Sequence, residues 1–372
     1  MRGISLKPIV PSISSQQSSV GHDLPVMNAS QLGGIETSVL DNGPGRGVQI
    51  AWVNTGGGLR YKVVIDRGLD IADAEFFGQS LTWHSPTGVT APTRAFDQGY
   101  DWLKSFYGGL LVGCGPLNTG NAFTEEGKPY GLHGTHSNTP ATVESIVNPD
   151  LMRGLHEMQI TGKVQTASVF GATIELKRTI TSRLGVPSIH VSDSFLNRGN
   201  QRVPFCWLLH INVGYPLLEP GASTYCWRGK ESPLEGSEAW YAPGNDFKTA
   251  PQPMEAHRGA GEFCAYIDPE GGTDGNVLAG IVNRSRQMAL KIEFSLKDYP
   301  RLVNWQHWGP AGSYAGAIEP TNAGVEGRPL DAERGWLQYL EPGESRTLQC
   351  SLTATNVEAD FQQLLALNDA RA

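Results

Sequence analysis

Charge is scarce in this chain: only 18% of its 372 residues are Asp, Glu, Lys or Arg, and the formal net charge is −8. No Lys/Arg cluster stands out, so the basic footprint of a nucleic-acid binder is missing and no nucleic-acid partner is expected. Long apolar runs are lacking too. No stretch approaches the ~20 continuous apolar residues of a membrane span, so no membrane partner is expected. The first thirty residues are Ser/Gln/Pro-rich and have no continuous apolar core of the signal-peptide kind. Positions 1–32 therefore read as a mobile lead-in, with one domain over 33–372. Cysteine is sparse as well: Cys114, Cys206, Cys226, Cys264 and Cys350 are odd in number, scattered and free of any CxxC pair. That usage argues against a disulfide framework and for a reducing, cytoplasmic location.

What the chain has in quantity is turn-formers, with 45 Gly and 24 Pro. Between them lie short runs of alternating apolar and polar residues: 47–53, 59–65, 168–179, 188–195, 277–282, 288–294 and 347–353. Period-two alternation rich in β-branched residues is the signal of a half-buried strand. The punctuation (DNGPGRG from Asp41, NTGGG from Asn54, NRGN from Asn197, DPEGGTDGN from Asp268) is turn chemistry. Strand following strand without helical periodicity predicts a mainly β protein of antiparallel sheets packed face to face. Two segments read as helical: YDWLKSF at 100–106, and the tail 356–370, where Thr355 and Glu358 fit a capping box.

Four stretches hold residues suited to chemistry. In IDRGLDIADA from Ile65, Arg67 stands between Asp66 and Asp70. Two readings are open for it: locked by the carboxylates, or presenting its fork of donors to a ligand's hydroxyls. In YGLHGTHSNTPA from Tyr130, His133 and His136 are three apart, which invites a metal. No further ligand follows at zinc-like spacing, and no metal is expected. In FCWLLHINVGYP from Phe205, His210 interrupts an apolar strand, where a satisfied core histidine is the ordinary case. In LVNWQHWGPAGSYAGAIEP from Leu302, Trp305, His307 and Trp308 precede Glu319. Glu319 ends an apolar run, and partial burial there raises a carboxyl toward the working range of a general base. The two tryptophans offer either flat faces for a sugar ring or core packing.

Taken in order, DRGLDI, GGLLVGCGPLN, LHGTHSNTPA, LLHINVGYP and GAIEP resemble the galactose mutarotase-like superfamily. More narrowly, they resemble its aldose 1-epimerase-like bacterial family long carried as a domain of unknown function. The resemblance covers Gly33 to the C-terminus. It implies a β-supersandwich of large antiparallel sheets with few short helices, curving around a sugar-binding groove. The catalytic roles fall on His133, His210 and Glu319. Substrate contacts fall on Arg67, His136, Asn118, Trp305, His307 and Trp308. The partner implied is a small sugar or sugar derivative, and the chemistry calls for no cofactor. The superfamily's usual sugar-binding aspartate has no matching position. A different carbohydrate isomerase or lyase on the same scaffold, or a non-catalytic sugar-binding protein, stays open as an alternative.

Overall fold

The computed structural model describes residues 25–369; the larger part of the expected N-terminal lead-in lies outside these. The described residues ahead of position 33 include a short 3₁₀ turn at Ala29–Gln31 capped by the Asn28 side chain. From there the alternating runs become three large antiparallel sheets.

The eight-stranded sheet runs, in spatial order, Ser223–Cys226, Asn276–Asn283, Met288–Ser295, Ser345–Thr355, Val186–Asn197, Thr173–Arg183, Glu157–Ala167 and Thr142–Val147. The six-stranded sheet runs Gly229–Pro233, Phe263–Pro269, Arg301–Trp308, Tyr314–Thr321, Leu208–Val213 and Val112–Cys114. The third has five strands between Gly34 and Ser80, and the Ile71–Leu111 bridge ties it beside the six-stranded sheet.

Burial follows the pleat. Thr173–Arg183 alternates strictly between buried and part-exposed positions, as a sheet with one wet face requires. Leu208–Val213 is buried at every position, and Tyr314–Thr321 at every position after its first. These two strands are covered on both faces. Leu209, Ile211, Val213 and Ile318 join Ile180, Ile189, Val191, Leu290 and Ile292 of the eight-stranded sheet in one apolar core. The opposite face of the same strands is the one that carries His210 and Glu319.

Charge is buried within this packing. Arg178, fully enclosed, holds Asp193 through a fork of bonds at 2.7 and 2.8 Å and reaches Asp70 Oδ1 at 2.7 Å. Asp70 accepts from the Gly113 N–H, and Asp193 from the Trp207 indole. Burial works against the guanidinium's charge, and the two carboxylates more than offset it, so its pKa is raised. The cluster joins all three sheets at the level of the six-stranded sheet's inner edge. The five cysteines are buried free thiols.

Local expectation and structure differ at three segments. The run 100–106 forms only a 3₁₀ turn, Asp101–Lys104. Its bonds span three residues, Leu103 N–H to Tyr100 O and Ser105 N–H to Trp102 O. The strand expected from residue 168 starts at Thr173, because 168–172 is a hairpin loop closed by Ser168 N–H to Ala172 O. The C-terminal helix spans Glu358–Leu365. Its N-cap is Val357, which makes no side-chain capping bond; Thr355 accepts from the Val357 N–H and donates to Asp360, while Glu358 faces outward to Arg284 instead of closing a capping box. Among the described residues no helix is long and apolar enough to cross a membrane.

Candidate active site

Two neighbouring strands set the centre of the site. Leu208 pairs with Thr321 and Ile211 with Ile318, a register that places His210 opposite Glu319. Directly opposed side chains share a face and stand close, and here His210 Nε2 lies 3.2 Å from Glu319 Oε1. Although close, the two atoms are not aligned as a hydrogen bond, and Glu319 Oε1 and His210 Nδ1 are both buried without a partner. Glu319 is 2% exposed and His210 6%. Buried polar atoms are ordinarily satisfied, and these two are exceptions.

His133 reaches the same point from a loop. Its backbone is left-handed (φ 57°), and the loop is pinned on both sides: His133 N–H donates to Gly120 O, and its carbonyl accepts from Gly115 N–H. The Gly120 N–H donates to Nδ1 at 3.3 Å, which leaves the neutral ring's proton on Nε2. Gly120 must be glycine, since a Cβ there would lie 1.8 Å from the Val325 carbonyl oxygen and φ is +69°. The His133 and His210 rings meet edge to face with centroids 5.6 Å apart.

Aromatic rings wall the rest. Trp102 stacks on Phe106 at 4.3 Å and lies 4.7 Å from His133, its indole N–H held by Ser137 Oγ. Phe106 and Trp305 flank His210 at 5.2 and 5.8 Å. Tyr100 and Leu103 stand half-exposed at the mouth, where Glu235, Glu262 and Glu326 also line the opening. The cavity holds about 460 Å³, within the range of small-ligand sites. A wider concavity of about 610 Å³, by Trp227, Lys248 and Asn368, holds one unpartnered buried atom, Arg228 Nε, and none of these histidines.

Burial dominates the electrostatics. It pushes the Glu319 carboxyl well above the carboxylate range, helped by the nearby charge of Glu262. It pushes His210 well below the usual imidazole value, with His133 adding to the effect, and lowers His133 to about 4. Burial thus favours the uncharged form of each group, the protonated Glu319 carboxyl and the neutral His210 imidazole. A carboxyl and an imidazole tuned in opposite directions in one pocket form an acid–base couple.

Sequence reasoning named nine residues, and the cavity gathers four of them: His133, His210, Glu319 and Trp305. The other five are elsewhere. Arg67 is 1% exposed and neither pairs with a carboxylate nor offers its fork outward. Its four hydrogen bonds go to Ser137 O, Thr90 O, Thr90 Oγ1 and Ser105 O, tying three loops together. His136 turns into the core against Trp207, 3.4 Å from Asp70, and shares no site with His133. Asn118 spends its amide on the carbonyls of Gly120, Asn121 and Gly131 and accepts from the Arg328 N–H; it holds the His133 loop from behind. Trp308 is enclosed in the main core, because residues three apart on a strand point to opposite faces and Trp305 takes the cavity side. His307 shares the Trp305 face but lies outside the cavity, with its two ring nitrogens on Gly261 O and Ser313 Oγ. Reasoning from sequence missed Trp102, Phe106 and Glu262. The first two lay in YDWLKSF, read only for its helical spacing, and nothing local marks Glu262.

Among solved structures, the chain resembles a provisionally named aldose 1-epimerase from Klebsiella pneumoniae subsp. pneumoniae, with a TM-score of 0.81 at 22% identity, covering 93% of this chain and 92% of that one. It also resembles a galactose mutarotase-like protein from Clostridium acetobutylicum (TM-score 0.59, 15% identity, 87% and 98% covered). A third is galactose 1-epimerase from Lactobacillus acidophilus NCFM (0.54, 10%, 86% and 98%). At these identities the likeness establishes the fold. No curated protein matches. The family model described as a domain of unknown function, DUF4432, matches residues 45–354, and the chain belongs to that family, on the galactose mutarotase-like fold.

Proposed function

We propose that this protein is an aldose 1-epimerase-type isomerase, interconverting the anomers of a sugar by acid–base ring opening and closure. The observation that carries the reading is the facing pair His210 and Glu319, 3.2 Å apart and both lining a cavity of sugar size. Anomer exchange needs one group to take the proton of the anomeric hydroxyl while another protonates the ring oxygen. The C1–ring oxygen bond breaks, the aldehyde rotates about C1–C2, and closure on its other face returns both protons.

Glu319 serves as base and His210 as acid. Before a sugar binds, burial favours the protonated Glu319 carboxyl and the neutral His210 imidazole. Sugar hydroxyls entering the cavity supply the hydrogen bonds an ionised carboxylate requires, and the proton shifts across the 3.2 Å gap to His210. His133, with its Nε2–H directed by the Gly120 N–H on the other nitrogen, orients the sugar by donating to an oxygen. Trp102, Phe106 and Trp305 offer apolar faces to the ring's C–H surface. The chemistry draws on no cofactor.

The test is two-dimensional exchange NMR between α and β anomers over a panel of aldoses. Exchange above the buffer rate for at least one sugar, lost in Glu319→Gln, is expected. Failure to accelerate any of them, with binding intact, would leave the protein a sugar binder and not an epimerase.

A further inference from the structure

The cavity's lining contains four carboxylates, Glu235, Glu262, Glu319 and Glu326, and neither lysine nor arginine. Two of the four contribute little charge: burial favours the protonated form of Glu319, and Glu326 is paired with Arg334 and accepts from the Tyr266 hydroxyl. Glu235 and Glu262 have no cationic partner among the described residues. Glu262 is also fixed in place. Its Oε2 accepts from the Trp305 indole N–H at 2.6 Å, so its charge stays beside the ring that flanks His210. At the floor, Glu319 and His210 stand side by side, Oε1 3.2 Å from Nε2.

Such a lining discriminates by sign. Hydroxyls donate as well as accept, and every carboxylate here can receive one. A phosphate or a sugar carboxylate brings only acceptors and negative charge. It would be stripped of water with no guanidinium or ammonium to replace that water, and with two unpaired carboxylates at the entrance repelling it. An ammonium on the sugar meets the opposite situation. Resting on the reading of this pocket as a sugar site, we infer that it selects uncharged and amino-bearing aldoses and turns away phosphorylated and carboxylated ones. Glu262 is the residue that sets the sign.

The experiment measures binding and anomer exchange separately for galactose, glucose, galactosamine, glucose 6-phosphate and glucuronate, by saturation-transfer and exchange NMR at low salt. The two anionic sugars should bind at least roughly tenfold more weakly than their uncharged counterparts. That gap should narrow severalfold at high salt, which screens the exposed entrance charges, and in Glu262→Gln. The variant should fold normally, because Glu262 is exposed and the amide oxygen can still accept from Trp305. An anionic sugar bound as tightly as glucose overturns the inference. So does an unchanged ratio in folded Glu262→Gln, or a panel in which nothing binds. Selective binding of the uncharged and amino sugars without any exchange supports it while removing the epimerase reading, so the two claims fail separately.

Discussion

His210 and Glu319 oppose each other across one antiparallel pairing, 3.2 Å apart, yet neither satisfies the other. A buried pair left in this condition costs the fold stability, and the consequences can be measured.

Replacing Glu319 by Gln preserves volume and hydrogen-bonding reach but removes the acceptor of the proton. Anomer exchange should fall by ~10²–10⁴-fold with sugar binding largely retained. Exchange rate and affinity, measured separately, check this; an unchanged rate sinks the mechanism.

The same variant should be more stable than wild type at neutral pH. The folded-state pKa of Glu319 is raised, mainly by burial. Its contribution to stability is thus fully present below the unfolded carboxyl value of about 4.3 and is lost as pH climbs toward the folded value. Melting curves of the two proteins should nearly coincide near pH 4 and separate as pH rises, with Glu319→Gln melting higher.

The histidines act in the opposite direction. His133 is lowered to about 4 and His210 well below 6.5, both chiefly by burial. The unfolded chain takes up protons first, so stability is lost as pH falls from about 6.5 through the folded values. A pH series of melts on His133→Gln should show a shallower acid limb than wild type.

Trp305 and Trp308 separate cleanly by face. Trp308→Ala should cost ~3–5 kcal/mol, the usual price of emptying a large core site. Trp305→Ala should cost little stability and raise KM several-fold. Denaturant titrations beside steady-state exchange kinetics distinguish them, and a large stability loss in Trp305→Ala contradicts the assignment.

Arg67→Ala should act on the fold. The side chain anchors Ser137, Thr90 and Ser105, and losing its bonds should destabilise by roughly 2–4 kcal/mol. Affinity for sugar should change little in the fraction that remains folded.

These contrasts also show what the sequence made legible. The strands around 188–195, 277–282, 288–294 and 347–353 stand where alternation put them, because their neighbours reinforce the local pattern. His133, His210 and Glu319 were visible as polar residues in apolar or glycine-rich settings. Their proximity was visible only through the family resemblance, since cross-strand register joins residues that no local pattern links. Arg67 and Asn118 misled because donors at a strand end look alike whether they meet carbonyls or a ligand. Trp308 misled for a simpler reason: the two-residue period already forbade it from sharing a face with Trp305.

The strand that bears His210 is held on one side by Val112–Cys114 and on the other by Tyr314–Thr321, segments about a hundred residues before and after it. Closing loops of that length carries an entropic cost before any contact repays it. The site is consequently a late product of folding, with no local nucleus to assemble it. Catalytic recovery in a refolding experiment should trail the return of sheet structure, and a chain cut short of Tyr314 should have no partial activity, only none.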